Sequence, residues 1–201
     1  MTTPANTSFP IHELLRDRFS PRAFADQSVS TEVLGCLFEA ARWAPSAFNE
    51  QPWIFIAATR EQGEDFARLG DCLVEGNAWA KNAPVLAISV AQTRFARNDK
   101  ENRHAFHDVG LATAFLTLEA QAQGLSVHQM AGFDAELAKT SLELPENHEP
   151  VAMFAIGPVG DPSTLPDPLR ERELAPRVRK PLSEVVFRGV HGGSFDGLAD
   201  R

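Results

Sequence analysis

The chain has 201 residues, 43% of them hydrophobic and 23% charged, with a formal net charge of −8. Length and apolar content suit one globular domain with a sizeable core and exclude a disordered chain. The acidic balance argues against general nucleic-acid binding, and no apolar run is long enough to span a bilayer, so neither nucleic acid nor membrane is an expected partner.

The N-terminus, MTTPANTSFP, has neither a basic nor an apolar leader pattern. Pro10 suits the first turn of a short helix carrying Ile11, Leu14 and Leu15, which Ser20-Pro21 interrupts. Ser30 reads as the N-cap of a second helix with Glu32 in its first turn. Val33, Leu34, Leu37, Phe38 and Ala41 recur there at helical spacing and predict a buried face, with Cys36 as a buried reduced thiol. Pro45 ends that helix and opens a loop to Pro52. The apolar run 53–58 predicts a buried strand, a helical segment covers about 61–74, and Pro84 introduces a second strand at 85–90. The stretch from about 100 to 123 predicts a long central helix with Gly124 as its C′ residue. A third strand at 125–130, a short helix at 134–141 and a fourth strand at 151–156 follow.

Long helical segments separate the strands, so the expected class is α+β, a three-layer α/β/α sandwich, as a single domain over 1–201. After Gly157 the character changes, with prolines at 158, 162, 166, 168, 176 and 181 and mixed charge. An extended arm over about 158–190 is expected, with a flexible end at 191–201. Such a tail has no core of its own and either wraps over another surface, most simply that of a partner subunit, or is partly disordered.

Three segments point to a phosphorylated, planar cofactor. Arg16, Arg18 and Arg22 cluster around Phe19-Ser20-Pro21 and offer forked donors for a phosphate, although a solvated basic turn would look the same. The loop 45–52 is stiffened by prolines, and its Ser46, Asn49 and Gln51 are short neutral groups suited to a heterocycle edge; a plain helix-to-strand connection is the alternative. Arg177, Arg179 and Lys180 place three cations within four residues of an acidic chain, where a solvated charge run is again the ordinary alternative.

In this order the segments resemble the nitroreductase family of flavoproteins. Arg18-Phe19-Ser20-Pro21-Arg22 resembles its N-terminal Arg-x-Ser-x-Arg/Lys signature. Pro45-Ser46 through Asn49-Glu50-Gln51-Pro52-Trp53 resembles its Pro-Ser…Asn-x-Gln-Pro-Trp loop. Asn77 sits where a flavin-contacting asparagine is common. Gly124-Leu125 followed by Gln129-Met130-Ala131-Gly132-Phe133-Asp134 resembles the Gly-Leu…Gly-Phe-Asp segment, and Arg177-x-Arg179 ahead of Pro181-Leu182-Ser183 resembles the C-terminal phosphate-binding stretch. The likeness runs from about Ile11 to Val186.

The resemblance implies an FMN-dependent oxidoreductase that takes electrons from NADH or NADPH and passes them by a ping-pong mechanism to a small electron-poor acceptor. It implies a mostly antiparallel sheet flanked by helices, a cytoplasmic homodimer with flavin at the interface, and a tail embracing the partner. Arg18, Arg177 and Arg179 would hold the phosphate. Ser20 and Arg22, next to Phe19, would address the pyrimidine edge or ribityl chain. Pro45, Ser46, Asn49 and Gln51 would reach the flavin from the partner subunit. Asn77, Gln129, Met130 and the backbone N–H of Ala131 or Gly132 would meet the ring. No side chain acts as a catalytic acid or base in this reading; Arg22 lends electrostatic support to the flavin.

A family lysine expected three residues beyond Asn77 is here Ala80, with Lys81 adjacent. No nucleophile elbow, zinc spacing or Gly-x-Gly-x-x-Gly follows a strand, so no metal is expected and the nicotinamide would dock transiently. His104 and Asp108 share an i,i+4 face of the central helix, and His128 precedes the flavin-facing segment. The short polar stretch 92–107 would cover the flavin lightly and leave an open site. The alternative is a flavin-binding sensor or storage protein with little turnover.

Overall fold

The computed structural model describes residues 4–195, 197 and 198. Its strands are β1 (Trp53–Thr59), β2 (Val85–Gln92), β3 (Ser126–Met130) and β4 (His148–Gly157). Its helices are α1 (Glu13–Asp17), α2 (Thr31–Arg42), α3 (Gly63–Asp71), α4 (Ala105–Ala122), α5 (Ala135–Ser141) and α6 (Asp167–Leu174). The strands form one antiparallel sheet in the order β1-β2-β4-β3.

Both faces of β2 are buried. Leu86, Ile88 and Val90 enter a cluster with Phe66 and Leu69 of α3 and Ala138 of α5. Val85 and Ala87 enter a second cluster with Leu37 and Ala41 of α2 and Ala112, Leu116 and Ala120 of α4. Helices on both faces of the sheet make the expected three-layer α+β sandwich. They also explain why the strands read as continuous apolar runs.

Local signals account for most element ends. The Ser30 hydroxyl accepts the Val33 N–H at 3.3 Å and starts α2. At the end of α4, Gly124 takes φ +75°, and the Leu125 N–H reaches back to the Ala120 carbonyl at 2.8 Å, as in a Schellman motif. The helix starts at Ala105 rather than near residue 100. The preceding stretch turns back on itself, with Arg94 bridging to Glu101, and the Asn102 carbonyl accepts the Ala105 N–H.

Three further expectations need correction. α1 begins after Pro10, because His12 caps it by accepting the Leu14 N–H, and Ile11 and Leu15 stay exposed. Cys36 is exposed: it precedes core-facing Leu37 by one position, which is about 100° around a helix. The 158–190 segment is not extended throughout. Residues 158–160 pair with 23–25, and Asp167–Leu174 form α6 with Pro168 in its first turn. α6 gave no apolar periodicity because none of its residues is fully buried. The end expected at 191–201 falls partly on residues 196 and 199–201, outside the described residues.

Candidate functional site

The arm that follows α6 lies on the segment that follows α1. The Arg177 guanidinium donates to the Arg16 carbonyl at 2.9 Å and to the Arg18 carbonyl at 2.5 Å. Arg18, Arg177 and Arg179 thereby meet around a cavity of about 270 Å³, whose wall also includes Phe19, Ser20 and Arg22. Arg18 donates to the Ser20 hydroxyl at 3.3 Å. Among the described residues, Arg18 and Arg179 take part in no ion pair. Burial, with Arg177 and Arg179 alongside, lowers the proton affinity of the Arg18 guanidinium. Guanidinium groups gathered around one cavity, with Arg18 and Arg179 not ion-paired among the described residues, are the electrostatic signature of an anion site.

Arg22 is held from two sides. Its main-chain N–H lies 2.8 and 3.0 Å from the two carboxylate oxygens of Glu173, and its guanidinium is 3.8 Å from one of them. The same guanidinium lies 5.9 Å over the Trp79 ring. Trp79 in turn packs against His128, with ring centroids 4.6 Å apart. His128 Nδ1 sits 2.8 Å from the Pro21 carbonyl, so the proton is on Nδ1. Burial drops the His128 pKa to about 4, with the Arg22 charge adding to the drop. His128 is therefore neutral near pH 7, and Arg22 is the cation at this edge.

Asn77 lies on the irregular helical turn Glu75–Asn82 and donates to the Gly132 carbonyl at 2.9 Å. A Cβ on Gly132 would stand 2.6 Å from the Asn77 amide nitrogen, so only glycine lets the two segments approach. Among the described residues, no backbone acceptor outside the sheet ladder takes the N–H of Ala131 or Gly132. Gln129 bonds to the Thr117 hydroxyl of α4 at 3.2 Å, and the Met130 side chain enters the core rather than the cavity.

The 45–52 loop stands apart from this constellation. Pro45, Ser46, Asn49 and Gln51 line no part of the arginine cavity. The loop is held by the buried Asp108 carboxylate, which accepts the Ala47 N–H at 2.9 Å, and by Ser46, whose hydroxyl accepts the Gln51 N–H at 3.0 Å. Phe48, Asn49 and Gln51 all take left-handed φ near +50 to +57°, a costly backbone for non-glycine residues. Phe48 is 72% exposed and shares the Arg97 guanidinium with Phe95. The 93–102 turn is thus docked on this loop. His104 does not pair with Asp108; its neighbour His107 does, at 3.0 Å.

Ala80 is wholly buried, and Lys81 pairs with Asp71 of α3 at 3.2 Å. A larger cavity of about 1170 Å³ lies behind the arginine cluster, with Arg22 lining both. Volume favours the larger space, but an anion needs converging donors more than room, and those converge in the smaller one. Glu173 and Asp108 are the carboxylates that matter here. Glu173 is hidden in the sequence within the charged run Arg170-Glu171-Arg172-Glu173, where only a fold could single it out. Among the described residues, no helix is long and apolar enough to cross a membrane.

Residues 15–78 and 73–158 match the family model described as the nitroreductase family. A putative NADH dehydrogenase/NAD(P)H nitroreductase of Xanthomonas oryzae pv. oryzae is 34% identical over 143 residues, covering 62% of this chain and 72% of its own. An uncharacterized 15.4 kDa protein of Mycolicibacterium smegmatis is 36% identical over 129 residues, covering 64% of this chain and 86% of its own. A crystal structure described as an oxidoreductase containing FMN superposes with a TM-score of 0.89 at 36% identity, covering 96% of this chain and all of that one.

Proposed function

Since the chain belongs to the nitroreductase family, we propose that it is an FMN-dependent oxidoreductase using NADH or NADPH. The observation that carries this reading is the cluster of Arg18, Arg177 and Arg179 around one cavity, with no carboxylate paired to Arg18 or Arg179 among the described residues. The donor set fits the group: forked cations for a phosphate, neutral Ser20 and Asn77 for a polar chain or ring edge, and a glycine at 132 where bulk would collide.

The chemistry FMN supplies when bound is hydride transfer to a small electron-poor acceptor such as a nitroaromatic, quinone or enal, in two half-reactions at one site. Arg18, Arg177 and Arg179 would hold its phosphate with charge-assisted bonds. Ser20 and Arg22 would address the pyrimidine edge or ribityl chain. Arg22, fixed by Glu173 and Trp79, would lend positive charge to the bound flavin, an electrostatic role needing no proton transfer. Asn77, Gln129, the main chain of Met130, whose side chain is in the core, and the N–H groups of Ala131 and Gly132 would border the ring. We place the Pro45, Ser46, Asn49 and Gln51 contacts across a homodimer, because within one subunit these residues line no part of the cavity. α4 also leaves two aromatic side chains partly exposed on opposite flanks, Phe106 at 50% and Phe115 at 39%.

Initial rates measured against NADH or NADPH and a quinone test the mechanism. Parallel double-reciprocal lines are expected for a shared site. Intersecting lines would mean both substrates bind together and would remove the two-step reading.

A further inference from the structure

We infer that Glu173 is a positioning residue that fixes the phosphate-binding arm onto the Arg18–Arg22 turn and so sets the preference for a phosphorylated flavin. The inference rests on the proposed flavin site.

α6 is an exposed helix attached at two points on one face. Leu169 packs against the core on one turn, and four residues later Glu173 turns inward. The Glu173 side chain is only 3% exposed. A carboxylate withdrawn from water this far needs full compensation. It finds that in the N–H of Arg22 at 2.8 and 3.0 Å, the N–H of Ala23 at 3.4 Å and the Arg22 guanidinium at 3.8 Å. Nothing in α6 itself uses these bonds; all of them join the helix to the turn.

The reverse bonds complete a strap. Four residues beyond Glu173, Arg177 donates to the carbonyls of Arg16 and Arg18. The arm thus gives a carboxylate to the N–H groups of 22 and 23 and a guanidinium to the carbonyls of 16 and 18. Arg177 and Arg179 stand four and six residues from Glu173, within roughly 13 and 21 Å of chain, so its position limits theirs directly. Glu173 is also the carboxylate in the wall of this cationic cavity, and it faces Arg22 rather than Arg18. It therefore offsets part of the charge that assembles the site without occupying the place of the anion. If the strap is cut, the cost of ordering the arm falls on ligand binding instead.

The test titrates flavin-free protein, wild type, Glu173→Ala and Glu173→Gln, with FMN and separately with riboflavin, which lacks the phosphate. Cutting the strap should raise the FMN dissociation constant about tenfold or more in Glu173→Ala and that of riboflavin clearly less, since riboflavin shares the Arg22 contact and lacks the phosphate held by Arg177 and Arg179. Glu173→Gln keeps one acceptor oxygen and should recover part of the loss. Brief trypsin treatment of the same flavin-free proteins should cut after Arg177 and Arg179 faster in Glu173→Ala. Equal weakening of FMN and riboflavin would mean general loosening and overturn the inference, as would unchanged FMN affinity with unchanged cleavage. Wild-type protein that binds neither flavin would remove the proposed site itself, an outcome distinct from failure of Glu173 alone.

Discussion

Replacing Gly132 by alanine adds one methyl group at the point where two segments of the proposed site touch. The added Cβ would meet the Asn77 amide nitrogen at 2.6 Å and a Val74 methyl at 3.1 Å. The first distance is untenable, so Asn77 must leave the Gly132 carbonyl it now bonds at 2.9 Å. Losing that bond costs about 0.5–1.5 kcal/mol, and overpacking costs about 1–3 kcal/mol. The sum, roughly 1.5–4.5 kcal/mol, should lower the thermal midpoint by about 3–18 °C in a chain of this size. The same change at Gly35, exposed on α2 with nothing within 4 Å, should raise stability by about 0.5–1 kcal/mol through helix propensity. Thermal unfolding followed by circular dichroism compares the two, and FMN titration of each variant reads the site. Gly132→Ala protein that melts with the wild type and binds FMN equally well would refute the close approach.

Arg18→Met removes one forked cation from the cavity. A lost charge-assisted bond of about 1.5–3 kcal/mol predicts FMN binding weaker by roughly 10- to 150-fold, with riboflavin little affected, as read by flavin fluorescence. His128 should make stability depend on pH. Its folded pKa of about 4 lies below the ordinary value near 6.5, so the unfolded chain binds more protons between those limits. Its contribution is fully present above pH 6.5 and is lost as pH falls toward 4; the gap corresponds to roughly 3 kcal/mol. Urea melts of wild type and His128→Gln across this window should show the slope flatten in the variant. Asp108→Ala strips the buried acceptor from the Ala47 N–H and should cost about 1–3 kcal/mol, with faster amide exchange in the 45–52 loop. Asp108→Asn keeps an acceptor oxygen and should cost less.

The layered fold was legible because its signals are local. Ser30 caps and Gly124 ends the helix each was read to cap or end, and the apolar runs of β1 and β2 mark strands packed on both faces. α6 was illegible for the opposite reason: it buries no whole residue and is anchored by half-buried Leu169 and one carboxylate, Glu173. Cys36 shows the limit of periodicity, since one step along α2 separates a core position from an exposed one. At the site, Arg18, Arg177 and Arg179 line one cavity, and Asn77 meets Gly132. What sets their geometry could not be read in advance. Glu173 holding Arg22, Asp108 holding Ala47 and Lys81 turning to Asp71 are each pairings between residues far apart in sequence or on turns of unknown direction.

The central claim is most directly tested by the absorbance spectrum of the protein reconstituted with FMN, recorded anaerobically before and after NADH and then NADPH. The expected result is a bound-flavin spectrum that bleaches within seconds with at least one donor and returns on adding a nitroaromatic or quinone. Flavin that binds but keeps its colour with both donors would contradict the reductase and leave a flavin-binding protein without turnover.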